Sequence, residues 1–203
     1  MAQSIRRIFM PIGDGTETLD TFYPYFRLAE AGYEVVVAGP EARLYHTVLH
    51  EIPPDSAVPW DITQERPGYF LRATVAFSEC HAESFAGAFL SGGRAPEYLR
   101  YYEPLLQVVR ALCEANKPIA CICHGIEILA AAGVLEGRTV TTVAKCALDA
   151  TQVGARYVNQ PVVVDRNIVT ARTWHDNALL MREFLKLLEA AELTATPTCH
   201  DRA

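Results

Sequence analysis

The chain has 203 residues, half of them apolar, with 18 basic and 24 acidic side chains and a formal net charge of −6. That length and apolar content allow one domain with a sizeable core. The acidic balance, with no basic stripe, excludes a nucleic-acid footprint, and apolar stretches such as Ile126 to Val134 are too short to span a bilayer. Residues 1–7 lead straight into a strand-like run without a signal-peptide apolar region, so a soluble, cytoplasmic protein is expected. Six scattered cysteines (Cys80, Cys113, Cys121, Cys123, Cys146 and Cys199) do not make a disulfide scaffold; in a reducing compartment they behave as free thiols.

Short β-branched runs alternate with helical ones, which predicts an α/β fold: a mostly parallel sheet sandwiched by helices. Arg6 to Ile12 reads as the first strand. Leu19, Phe22, Phe26 and Ala29 then recur at helical spacing, with Gly32 closing the helix. Tyr33 to Ala38 is a buried strand. Phe85 to Leu90 and Pro118 to Ile122 are two more, separated by an amphipathic helix marked by Leu105, Val108, Val109 and Leu112. Ile126 to Ala132 is a short apolar helix capped by Gly133. Strands are expected at 139–143, 162–164 and 168–171, and a closing helix carries Leu180, Phe184, Leu187 and Leu188. No repeat or linker appears, so 1–203 reads as one domain with a core of about 5–190 and a frayed tail from 194. Residues 43–70, with four prolines and no clean period, read as a long insertion: an arm ordered by Trp60, Tyr69 and Phe70 that serves access or subunit contact, or a surface excursion with a short hairpin.

Three loops at strand ends carry the chemistry. In Ala120-Cys121-Ile122-Cys123-His124-Gly125 a buried strand turns directly into a helix. A nucleophile on such a turn projects above the sheet edge, and the next residue's N–H becomes half of an oxyanion hole. The helix start beside Cys123 favours its thiolate, whereas Cys121, two residues back, belongs to the sheet packing. Ser91-Gly92-Gly93-Arg94 brings bare backbone close to a ligand, with N–H groups free to face an oxyanion. Gly13-Asp14-Gly15-Thr16-Glu17-Thr18-Leu19-Asp20 lacks the third glycine of a dinucleotide fingerprint, and its carboxylates repel phosphate. Glu17 and Asp20 instead face the switch-point crevice, or serve as helix-dipole caps. A structural zinc set is not expected from Cys121, Cys123 and His124, because no second ligand pair follows. His46 and His50 read as loop histidines near the entrance. No cofactor and no metal are expected.

Together these stretches resemble the ThiJ/PfpI superfamily, also called the DJ-one superfamily. The resemblance rests on Y-P-Y-F-R-L-A-E-A-G at 23–32, G-G-R-A-P-E at 92–97, K-P-I-A-C-I-C-H-G at 117–125, A-A-G-V-L-E-G-R at 131–138, V-V-V-D at 162–165 and T-A-R-T at 170–173. The first glycine–arginine motif with C-H-G points to the PfpI-like branch; G-Y-F-L-R-A-T-V at 68–75 is similar to plant-type glyoxalase members. The resemblance implies a flavodoxin-like fold, related to class I glutamine amidotransferases, with Cys123 as nucleophile and His124 beside it. It implies that Glu97 orients that histidine across a subunit boundary, hence a homo-oligomer (dimer, trimer or hexamer). Gly92, Gly93 and His124 surround the oxyanion, with Glu17 in the substrate-binding crevice. Asp20 stands where a thiolate-bonding glutamate is usual, as in the isocyanide-hydratase branch, although that branch lacks a histidine after its cysteine. Ile126 replaces a usual proline.

The implied activity is cofactor-independent chemistry on a small reactive carbonyl: glyoxalase III-like conversion of a 2-oxoaldehyde to a 2-hydroxy acid, or deglycation. The same residues also suit a cysteine peptidase or amidase, an isocyanide hydratase, or a redox sensor whose cysteine is oxidised rather than turning over.

Overall fold

The computed structural model describes residues 6–51 and 64–195. In chain order the elements are β1 (Arg7–Pro11), β2 (Thr16–Glu17), α1 (Thr18–Glu30), β3 (Glu34–Gly39), β4 (Leu44–Glu51), β5 (Gln64–Arg72), β6 (Val75–Ala76) and β7 (Gly87–Leu90). There follow α2 (Pro96–Leu99), α3 (Glu103–Glu114), β8 (Ile119–Ile122), α4 (Ile126–Ala132), β9 (Thr139–Val140), α5 (Ala147–Gln152), β10 (Arg156–Tyr157), β11 (Val162–Asp165), β12 (Ile168–Ala171) and α6 (Asn177–Ala195).

Seven strands form the central sheet in the order β11-β12-β8-β7-β1-β3-β6. All neighbours pair parallel except β11 with β12. Strands buried on both faces need apolar residues at every position, and β7 and β8 have them without a break. Alternation along β8 divides two cores. Ile119 and Cys121 face the side of α3 and α4 with Phe9, Leu90 and Leu105, while Ala120 and Ile122 face α6 with Met10, Val169 and Phe184. The chain passes from β1 to β3 on one side and returns to β7 on the other. The crevice at the carboxyl ends of β1, β7 and β8 is therefore the switch point where such sheets bind ligands.

Helix α1 departs from the amphipathic expectation. Its buried residues are Thr18, Asp20, Thr21, Pro24 and Leu28, whereas Leu19 and Phe26 are exposed. Phe22 stacks on Phe26 and meets Tyr69 edge-on, so the helix carries an outward aromatic face toward β5. Pro24 lies inside the helix and has no N–H for the Asp20 carbonyl four residues back. The Ser91 hydroxyl, from the loop after β7, donates to that carbonyl instead at 3.3 Å.

The insertion at 43–70, for which one reading is a short hairpin, is largely strand where it is described. β4 and β5 pair antiparallel from Leu44↔Arg72 to Glu51↔Gln64, and β2 pairs parallel with β4. The missing period has a physical cause: β5 is exposed along most of its length, so no buried face imposes alternation on it. Trp60, Cys199 and most of the tail expected from 194 lie outside the described residues.

Candidate active site

β8 ends in a strained turn. Cys123 has φ +55°, a left-handed conformation uncommon for a non-glycine residue, and the Thr142 hydroxyl holds its carbonyl at 2.7 Å. Gly125 lets the turn press against β7: a β-carbon there would lie 2.5 Å from the Leu90 carbonyl oxygen and 3.0 Å from that of Ser91. The backbone N–H groups of His124 and Gly93 face the Cys123 sulfur. Gly93, at φ +89°, is tied to β2 by its bridge to Thr16, and the Glu17 N–H reaches the Gly92 carbonyl at 3.0 Å. The loop thus holds the Gly93 N–H against β2, which carries Glu17.

Those carboxylates are buried. Glu17 caps α1, accepting the Asp20 N–H at 2.5 Å and also facing the backbone N–H of His50. Burial raises its pKa to about 7. Asp20 is fully buried, and neither carboxyl oxygen makes a hydrogen bond of ordinary geometry. Burial first, and the nearby Glu17 charge second, push its pKa well above the usual carboxylate range; the Gly92 N–H offsets this in part. Burial thus favours the protonated carboxyl, the form that can donate a hydrogen bond to sulfur. The sequence led us to expect a thiol shifted toward thiolate. In the folded chain Cys123 is only 4% exposed. Burial, and then any charge on Asp20, push its pKa up, while the His124 and Gly93 N–H groups pull the other way. Cys123 is therefore a buried thiol whose ionisation depends on these neighbours.

His124 finds its partner within the chain. Its Nδ1 lies 3.1 Å from Glu127 Oε1, one turn along the same helical stretch. The other Glu127 oxygen is ion-paired with Arg100 at 3.2 Å, Arg100 reaches Asp149 at 3.1 Å, and the Cys146 sulfur sits 3.6 Å from Glu127 Oε1. The resemblance places the Glu97 contact across a subunit boundary. That side chain is partly exposed and paired with Arg94 at 2.6 Å, and within one protomer it does not hold His124. His124–Glu127 is legible in hindsight as an (i, i+3) pair; Arg100 and Cys146 have no such local signal.

The remaining expected residues gather at the same crevice. Gly92 lies between Asp20 and Cys123, Cys121 is core at 1% exposure, and Glu17 acts as a buried cap at the crevice floor. His50 is not a solvated loop residue: it lies on β4 with its side chain 8% exposed and Nε2 3.0 Å from Glu65. Burial lowers its pKa against the pull of Glu65, and the charges of His124 and Arg94 act in the same direction as burial, which puts His50 on the site side of the hairpin. His46 is exposed and pairs with Asp14 at 2.9 Å.

A mostly parallel sheet with a strained cysteine at its switch point places the chain among flavodoxin-like α/β proteins. The model of the DJ-1/PfpI family matches residues 6–187, and the chain belongs to that family. It is 36% identical over 182 residues to a protein named deglycase TK1284 from Thermococcus kodakarensis, covering 90% of this chain and 99% of that one. Deglycase PfpI from Pyrococcus furiosus is 35% identical over 173 residues, 85% of this chain and 93% of its own. A solved ThiJ/PfpI domain protein from Brachyspira murdochii superposes with a TM-score of 0.78 at 19% identity, over 93% of this chain and 99% of that one, and shares the fold.

Proposed function

We propose that this protein is a cofactor-independent cysteine enzyme that acts on small reactive carbonyls, as a glyoxalase III-like or deglycase activity. The observation that carries this reading is the unpartnered, buried Asp20 carboxyl beside Cys123, with two backbone N–H groups facing the sulfur. A closed site of this kind suits a small electrophile, because entry of a carbonyl supplies an oxygen for those N–H groups as the thiolate attacks.

For a 2-oxoaldehyde such as methylglyoxal, the Cys123 sulfur adds to the aldehyde carbon, and the carbonyl oxygen takes up a proton to give a hemithioacetal. Removal of the C1 proton produces an enediolate, and reprotonation at C2 gives the thioester of a 2-hydroxy acid. Water then cleaves the thioester, releasing the acid and regenerating the thiol. In this reading His124, held by Glu127, serves as the base. The deglycase names of the relatives favour carbonyl adducts of amines as a further form of the same substrate class. We also propose a homo-oligomer. The exposed aromatic face of Phe26, Tyr69 and Phe70 supports it, as does the exposed Glu97, which is open to a neighbouring protomer.

The test is to incubate the purified protein with methylglyoxal and measure lactate, with Cys123→Ser alongside. Lactate formed by the wild type and lost in Cys123→Ser supports the reading. No turnover of methylglyoxal or of its amine adducts would remove it.

A further inference from the structure

His124, Glu127 and Cys146 bring an imidazole, a carboxylate and a thiol together beside the nucleophile. Their donor atoms all lie within 4.8 Å of one another. Nδ1 of His124 is 3.1 Å, and the sulfur of Cys146 is 3.6 Å, from Oε1 of Glu127. In a tetrahedral zinc site, bonds of about 2.0–2.1 Å to nitrogen and oxygen and about 2.3 Å to sulfur set donor separations of about 3.3 Å for N–O and about 3.5 Å for S–O. Two edges of such a site are already in place; the nitrogen–sulfur edge closes by side-chain rotation.

We propose that His124, Glu127 and Cys146 form an inhibitory site for a thiophilic divalent ion of the zinc type. The donor set selects the metal: a thiolate and an imidazole favour zinc, whereas magnesium and calcium require oxygen ligands. Charge balances, because a thiolate, a carboxylate and a neutral imidazole offset two positive charges. Arg100 on the far oxygen of Glu127, itself held by Asp149, stands where an outer partner orients a ligating carboxylate. The same guanidinium charge weakens cation binding, which suits a site filled and emptied by changing metal supply. Cys146 must lose its proton to ligate, so binding strengthens as pH rises. The metal replaces the Nδ1–Glu127 hydrogen bond and removes His124 from proton transfer next to Cys123.

Cobalt(II) serves as the spectroscopic probe, in the full-length Cys123→Ser protein so that the nucleophile cannot ligate. The expected result is one equivalent of cobalt bound with a thiolate charge-transfer absorption, displaced by zinc, with affinity increasing from pH 6 to pH 8. Adding Cys146→Ser, or Cys146→Ala should the serine variant fold poorly, abolishes the band and weakens binding by about 10–100-fold. In the protein with Cys123 intact, zinc lowers turnover and a chelator restores it. A band missing from Cys123→Ser, or one that survives loss of the Cys146 sulfur, overturns the proposal. The spectroscopic arm needs no turnover, so its outcome is independent of whether the carbonyl reading holds.

Discussion

Asp20 Oδ2 and Cys123 Sγ border the same point in space: a β-carbon on Gly92 would sit 2.5 Å from the first and 3.1 Å from the second. Gly92→Ala therefore drives a methyl group between acid and nucleophile. The expected outcome is a loss of stability of about 1–3 kcal/mol, as for overpacking elsewhere, with slower alkylation of Cys123. Denaturant melts and alkylation kinetics measure both. A variant with wild-type stability and reactivity would mean the two groups are not held together by this loop.

Asp20→Asn and Asp20→Ala separate a hydrogen-bond donor from a charge. Asparagine keeps the size and still donates, so its effect on thiol titration and turnover should be modest. Alanine leaves the sulfur without that donor and should cost more. If both variants titrate and turn over like the wild type, Asp20 is no more than an acidic residue in the first turn of α1.

Glu17 predicts a pH dependence of stability. Its folded pKa of about 7 lies above the ordinary 4.5, so the folded state holds this proton more tightly than the unfolded chain. The sign follows: the contribution is fully present below pH 4.5 and is lost as pH rises through 7. Glu17→Gln, which can still accept the Asp20 N–H, should flatten that slope in chemical denaturation followed from pH 4 to pH 8. An unchanged slope would show that Glu17 is not the group responsible.

His50 shares the crevice but lacks contact with the nucleophile. With its ring on Glu65, His50→Ala should raise KM more than it lowers kcat, the pattern of a uniform binding contact. A fall in kcat of several orders of magnitude, with folding intact, would move the base from His124 to this hairpin.

Thiol mapping offers a separate check. Cys121 and Cys146 are buried where burial pushes both thiols up, and the neighbouring Glu127 adds to this at Cys146. Cys123 has two backbone N–H groups facing its sulfur. Iodoacetamide near pH 8 should therefore modify Cys123 before either neighbour, as read by peptide mass spectrometry; Cys121 reacting first would contradict the elbow geometry.

What the sequence made legible was whatever local rules govern. The strand into Cys123 and the turn at Gly125 follow from apolar runs and steric need, and the paired glycines 92–93 sit where expected. The helix at 18–30 was legible as a helix but not in its orientation. Periodicity in Leu19, Phe22 and Phe26 marks an apolar face without saying that it turns outward, while a threonine- and aspartate-bearing face turns in. The β4–β5 pairing left no alternating trace because one partner is exposed. Arg100 and Cys146 reach Glu127 only through tertiary packing, so spacing along the chain carried no sign of them. Glu97 stood out as part of a motif, whereas Glu127, which meets His124 from the helix that follows, belongs to no motif.

Pro24 has one more consequence. By withholding an amide from the helix it leaves the Asp20 carbonyl to the Ser91 hydroxyl, and so makes α1 and the loop beside Gly92 mechanically one body. Pro24→Ala would create a new amide one helical turn beyond that carbonyl. Deuterium uptake at the new amide would then report which tether prevails: slow exchange if the helix reclaims its own carbonyl and frees the loop, fast exchange if Ser91 keeps it.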